Sequence, residues 1–233
     1  NFDSECKGIF MQIHPDKCSH KDAGNAFTHF MDLKNLFVNG FQFDDDSGKV
    51  TIKEATVTFS GKPELIDKSA KNYRILYQLS NDNFKKYLPN SFNSNVITLD
   101  DNYISLKDVV LPEEHCRWIC SRLLEFSAYI ENLGFTHCGL SIESFLVNPK
   151  THGIKIISFY HMKPVSGRLE TISAKNKMLY PNSIFDNKLA IPKIDIELSK
   201  RTICFLLGDK SGMGVCLKKS VSEPFIEFLI KSH

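Results

Sequence analysis

The chain contains no run of eighteen or more uninterrupted apolar residues, so nothing in it reads as a membrane-spanning helix. Its first residues lack the basic, then apolar, then small-residue order of a secretory signal. Paired C-x-x-C spacing is also missing. The seven cysteines are scattered from Cys6 to Cys216, an odd number that argues against a disulfide framework and for small apolar residues in a reduced, cytoplasmic setting. Charge of either sign is scarcely in excess: 29 Lys and Arg face 27 Asp and Glu, a formal net charge of +2. That balance supplies no general attraction to nucleic acid or to an anionic membrane, so a protein partner is the expected kind. No internal repeat, low-complexity tract or G-x-G-x-x-G phosphate loop occurs. What is present is ample core material, with 42% hydrophobic residues in 233. The chain begins with Asn1 rather than Met, which leads us to expect a further segment upstream.

Periodicity divides the chain into three parts. Cys6, Ile9, Phe10 and Ile13 recur at helical spacing until Pro15 removes a backbone donor, which predicts a helix ending at His14. A second helix carries Phe27, Phe30 and Phe37 on one face, read as core, and ends at Asn39-Gly40. The turn Asp44-Asp45-Asp46-Ser47-Gly48 then changes the period to about two. Residues 49–60, 73–79, 95–99 and 103–109 are expected as strands, with Asp100-Asp101-Asn102 as a hairpin turn between the last two. Residues 84–88 form a short helical possibility. Beyond Pro112, a strong amphipathic helix runs through Trp118, Leu123 and Phe126 to Gly134. A β pair at 145–147 and 154–157 and helices at about 194–207 and 222–230 complete the pattern.

The segment from Gly134 to Val147 (GFTHCGLSIESFLV) resembles the catalytic loop of protein kinases, H-R-D-L-K-P-E-N followed by an apolar strand. His137, Leu140 and Glu143 stand at matching positions. The general-base Asp is replaced by Gly139, the loop Lys by Ser141 and the metal-binding Asn by Ser144. Likewise Ile156-Ile157-Ser158-Phe159-Tyr160 resembles the strand entering D-F-G, with Ser158 in place of the magnesium-binding Asp. Asp195-Ile196-Glu197-Leu198 is similar to the large-lobe helix whose Asp holds the catalytic loop, so the resemblance makes His137 and Asp195 structural. No V-A-I-K strand is evident, and Lys53 and Lys62 are candidates for its lysine by location alone. Phosphoryl transfer depends on metal ions and a carboxylate that positions the nucleophile, and neither glycine nor serine supplies these. The resemblance therefore implies a kinase-like frame with no catalytic residue, cofactor or metal.

Upstream, Ile13-His14-Pro15-Asp16-Lys17, followed by Ala26-Phe27-x-x-Phe30, resembles the H-P-D loop and third helix of the J domain of DnaJ-type co-chaperones. That likeness implies that His14, Pro15, Asp16 and Lys17 contact a DnaK-type chaperone. The first J-domain helix is absent from this chain, and the helix before the loop presents only Lys7 where the family is basic. Two other readings of these residues stay open: His14 and Asp16 as local capping groups, and Cys6, His14, Cys18 and His20 as a zinc site lacking the usual tight knuckle.

The expected fold class is α+β. It comprises a J-like helical hairpin over residues 1–43, a small β-rich lobe over 44–110, and a mainly helical kinase-like large lobe over 111–233. Together these resemble the J-domain and pseudokinase proteins of bacteria and their large phages. The expected function is non-catalytic recruitment or scaffolding in a cytoplasm, the host's if phage-encoded, with a DnaK-type chaperone or another host protein as partner. One rival reading is a nucleotide enzyme using repositioned Asp100, Asp101 or Glu143. The other is a nucleic-acid-binding accessory protein using Lys85-Lys86 and Lys218-Lys219, which the near-neutral charge disfavours.

Overall fold

The computed structural model describes residues 2–231, a mixed α+β architecture with small antiparallel sheets. Two helices open it. α1 (Phe2–Ile13) ends where Pro15 forbids continuation, and α2 (Ala23–Asn39) ends at Gly40, whose φ of 75° suits only a residue without a side chain. They form a hairpin, with the Phe10 and Phe27 rings edge-on at 5.0 Å. The aromatic stripe of α2 is not the core expected of it. Phe27 and Phe30 are half-buried and Phe37 is 63% exposed, because α1 is the main element against which α2 packs.

A five-stranded antiparallel sheet follows, in the order β1-β2-β3-β5-β4. Its strands are β1 (Phe41–Asp44), β2 (Gly48–Lys53), β3 (Thr56–Gly61), β4 (Ser91–Asn93) and β5 (Val96–Thr98). Alternation in β2 and β3 turns Val50, Ile52, Val57 and Phe59 to the core. Since β1 begins at Phe41, the hairpin ends at Gly40 rather than at residue 43. Between β3 and β4 lie α3 (Pro63–Leu79) and the single turn α4 (Asp82–Lys85). Residues 73–79, expected as a strand, are the second half of α3. Pro63 in its first turn, Glu64 beside it and buried Ile66, Ser69, Ala70, Tyr73 and Leu76 at helical spacing override the β preference of Tyr and Ile.

Residues 103–109 do not form a strand either, and 100–102 is not a hairpin turn. The chain crosses here from the sheet to the helical part, and Ile104 alone pairs, exchanging both backbone bonds with Val147. Beyond it come α5 (Glu113–Asn132), β6 (Phe135–Thr136), β7 (Phe145–Asn148), β8 (Gly153–Ile156) and β9 (Lys163–Pro164). Strand β6 pairs with β9, and β7 with β8. Helices α6 (Ser183–Asn187), α7 (Lys193–Leu206) and α8 (Glu223–Ile230) finish the chain. α7 is buried on most sides and packs on α5, which makes it the axis of the helical part. No helix among the described residues is long and apolar enough to cross a membrane.

One aromatic column joins the sheet to the helices. Its centroid steps are Phe126 to His137 at 5.8 Å, His137 to Phe159 at 6.0 Å, Phe159 to Tyr73 at 5.8 Å, Tyr73 to Phe92 at 6.0 Å and Phe92 to Phe59 at 5.6 Å. The spacing is that of attractive edge or offset ring contacts. Phe159 sits at its middle, fully buried, with its backbone N–H donated to Ser69 Oγ and its carbonyl accepting from Asn72 Nδ2, both on α3. Phe159→Ala is expected to lower stability in urea unfolding by about 3–5 kcal/mol. A loss below about 1 kcal/mol would show that the column does not couple the two parts.

Candidate functional site

The loop between β6 and β7 is held from beneath by Asp195 in the first turn of α7. Its carboxylate accepts both the His137 and the Cys138 backbone N–H at 2.7 Å. Burial pushes the Asp195 pKa up to about 7, against the pull of those two donors. His137 turns inward and its Nε2 lies 2.7 Å from the Ser158 carbonyl, so that atom carries the proton. Complete burial lowers the His137 pKa to about 4, which keeps the ring neutral. These three residues tie the loop, α7 and the 158–162 segment together.

Facing this loop across the cleft is the acidic turn between β1 and β2. Asp45 is buried. Its Oδ1 accepts from Ser47 N at 2.8 Å, Ser47 Oγ at 2.6 Å and Gly48 N at 3.1 Å, while Oδ2 accepts from Tyr160 OH at 3.2 Å. Burial raises its pKa despite those bonds. Asp46 Oδ2 lies 3.1 Å from His161 Nε2, with side-chain exposures of only 12% and 4%. Burial works against the Asp46 carboxylate, but His161, the Ser173 hydroxyl and the Lys175 backbone N–H together hold its pKa below the ordinary value. Lys175 Nζ also donates to Asp44 O at 2.7 Å, and Lys62 Nζ to Asp46 O at 3.0 Å. The cavity left among Asp45, Asp46, Gly139, Ser141, Glu143 and His161 is about 10 Å³, the size of one water.

The glycine and serines of this region have structural work of their own. A Cβ on Gly139 would stand 2.9 Å from Cδ2 of His161, so glycine is what lets that ring reach the turn. Ser144 Oγ accepts Ser141 N at 2.9 Å and donates to Ser141 O at 2.7 Å, while Ser141 Oγ donates to Glu143 at 2.9 Å. Ser158 contributes its carbonyl to His137. Lys53 and Lys62 are both exposed, and their amines bond the backbone carbonyls of Val38 and Asp46. Asp100 pairs with buried Lys155 at 3.2 Å and Asp101 accepts from Asn148 at 2.8 Å, whereas Glu143 faces the turn. The three carboxylates are thus not gathered into one site. Lys85 and Lys86 are paired with Asp82 and Glu125, and Lys218 and Lys219 are exposed.

In the H-P-D turn, His14 packs between Phe10 at 5.2 Å and Phe27 at 5.1 Å, and its Nδ1 accepts the Asp16 backbone N–H at 3.2 Å. The His14 side chain is 28% exposed against 87% for Asp16. Pro15, Asp16 and Lys17 are therefore the groups that face outward, with His14 bracing them. The same local bond recurs between Asp22 N and His20 Nδ1 at 3.2 Å. Among the described residues no three His, Cys, Asp or Glu side chains gather to hold a metal ion, the Cys6, His14, Cys18 and His20 set included.

No protein-family model matches the chain, and no curated protein matches it. The residues that sequence reasoning missed are Asp45, Asp46, Tyr160, His161, Ser173 and Lys175. A signal for the first two was present, since three consecutive carboxylates, Asp44, Asp45 and Asp46, stand together in a turn sequence. Because the folded pKa of His137, about 4, lies below its unfolded value of 6.5, its contribution to stability is whole above pH 6.5 and is lost as pH falls towards 4. In H137F, which keeps an aromatic ring at the position, that loss disappears. The stability gap between wild type and H137F in urea should narrow by up to about 3 kcal/mol from pH 6.5 to 4. A constant gap would contradict a buried neutral imidazole.

Proposed function

We propose that the chain is a non-catalytic recruitment or scaffolding protein, built as a kinase-like frame without its chemistry and preceded by a J-like contact hairpin. The observation that carries this reading is the acidic turn latched into the cleft by Tyr160 and His161, with about 10 Å³ left free. In a kinase-like frame that turn takes the place of the glycine-rich loop, so carboxylates point where phosphates would need donors. Two anions cannot share that space without a large electrostatic cost. The frame itself is supported by the bonds of Asp195 to the 137–138 backbone and of His137 to Ser158, which match the structural roles the resemblance assigns to them. Gly139, Ser141, Ser144 and Ser158 offer no carboxylate, amine or amide for metal-assisted phosphoryl transfer.

ATP with magnesium at saturating concentration should leave the thermal midpoint unchanged. A rise of several degrees would overturn the reading and restore that of a nucleotide enzyme. For the hairpin, the exposed Asp16 carboxylate is the group that would pair with a basic residue on a DnaK-type chaperone. The protein should raise the ATP turnover of such a chaperone, and D16N should abolish the increase. Absence of stimulation by the wild type would remove the chaperone as partner while leaving the scaffold reading in place.

A further inference from the structure

Helix α7 carries Lys193, Glu197 and Arg201 at intervals of four, so all three stand on one face. Together with the 178–183 segment and Met213, that face lines a pocket of about 380 Å³. Its other walls are pinned. Tyr180 OH donates to Cys138 O at 2.7 Å and accepts Ser173 N at 3.1 Å, while Asp209 accepts Ser211 N at 2.9 Å and Gly214 N at 2.5 Å, which fixes the loop bearing Met213. The pocket is rich in donors that lack acceptors. The Arg201 side chain is only 16% exposed, yet Nη1 reaches the Gly212 and Met213 carbonyls at 3.5 Å and Nη2 comes no closer than 3.7 Å to Glu197. Those are long contacts for a guanidinium with five N–H groups to place. Among the described residues, the Lys193 amine and the Asn182 and Ser183 side chains make no hydrogen bond or ion pair.

Charge on this face is unbalanced. Glu197 stands between the fully buried Lys200 amine at 3.8 Å and Arg201 at 3.7 Å, so one carboxylate answers two cations, and Lys193 adds a third. The excess is two positive charges. Half-buried donors without acceptors are costly, and a guanidinium fork takes two oxygens of one oxyanion side by side. We propose that this pocket binds a phosphate monoester, with Arg201 and Lys193 on its oxygens and Asn182 and Ser183 completing the donor set. A dianion matches the excess of two charges, which a single carboxylate does not. Leu179 and Met213 give an apolar margin for the group that carries the phosphate. The pocket shares no lining residue with the cleft beneath the acidic turn. The proposal thus goes beyond the recruitment reading and does not rest on it.

The test is calorimetric titration of the protein with inorganic phosphate and, separately, with sodium acetate, at constant ionic strength and at about pH 8, where phosphate is mainly a dianion. Phosphate should bind, and acetate should bind at least about tenfold more weakly. K193Q should weaken phosphate binding about tenfold and R201Q by at least as much, through lost charge-assisted bonds. K218Q, which removes an exposed lysine elsewhere, should leave it unchanged. If R201Q does not fold, R201K takes its place: it keeps the charge but loses the fork, and about a tenfold loss is again expected. A serine-phosphorylated peptide that binds tighter than inorganic phosphate assigns the site to a modified partner, whereas a sugar phosphate that does so assigns it to a small metabolite. No binding of phosphate, equal binding of acetate, or an equal loss in K218Q overturns the proposal. Repeating the ATP titration in K193Q keeps the two ideas apart, since a thermal shift that survives there belongs to the cleft.

Discussion

The bond on which the rest depends is the double acceptance by Asp195. A buried carboxylate at the start of a largely buried helix takes two consecutive backbone N–H groups, those of His137 and Cys138, and so fixes where the 137–144 loop leaves the core. Once the loop is placed, His137 has one direction to point, into the column between Phe126 and Phe159. Its Nε2–H then settles the Ser158 carbonyl, and the chain that follows carries Tyr160 and His161 to the acidic turn. A buried ionisable group is an expensive way to hold a loop, because burial alone drives the Asp195 pKa upward. Its effect is geometric: two bonds from one side chain fix orientation as well as position.

The closed cleft follows from that chain of placements together with one small residue. Gly139 has no side chain, and the space one would take is filled by the His161 ring. The absence of a side chain at 139 and the presence of the latch are thus one packing arrangement. The Ser144 hydroxyl closes a tight local turn on the Ser141 backbone, and the Ser141 hydroxyl is taken up by Glu143.

Much of the fold could be read from the sequence where local chemistry decides. Pro15, Gly40, Pro112 and Gly134 mark real helix ends, and alternation in β2 and β3 gives their buried faces. The reading failed where two local preferences compete. The Tyr73–Leu79 stretch has strand-forming residues but belongs to a helix whose start signal, Pro63-Glu64, lies ten residues earlier. In the candidate site, His137 and Asp195 were legible through a resemblance alone, and the bond from His137 N to Asp195 Oδ2 joins them. The latch was not. Asp46 and His161 are 115 residues apart, and the 161–176 segment is largely irregular, so neither periodicity nor spacing could bring them together.

The hairpin of α1 and α2 has its own thermodynamic character. Its helices pack chiefly on each other, and Ile9, Leu33, Leu36 and Val38 stay largely in solvent. The aromatic column and the Asp195 anchor do not pass through it. A unit attached in this way opens at a lower free energy than the body it joins, because little apolar area holds it shut. Rearrangement of the hairpin on meeting another surface would therefore cost only its own shallow packing, and the closed cleft would not register the change.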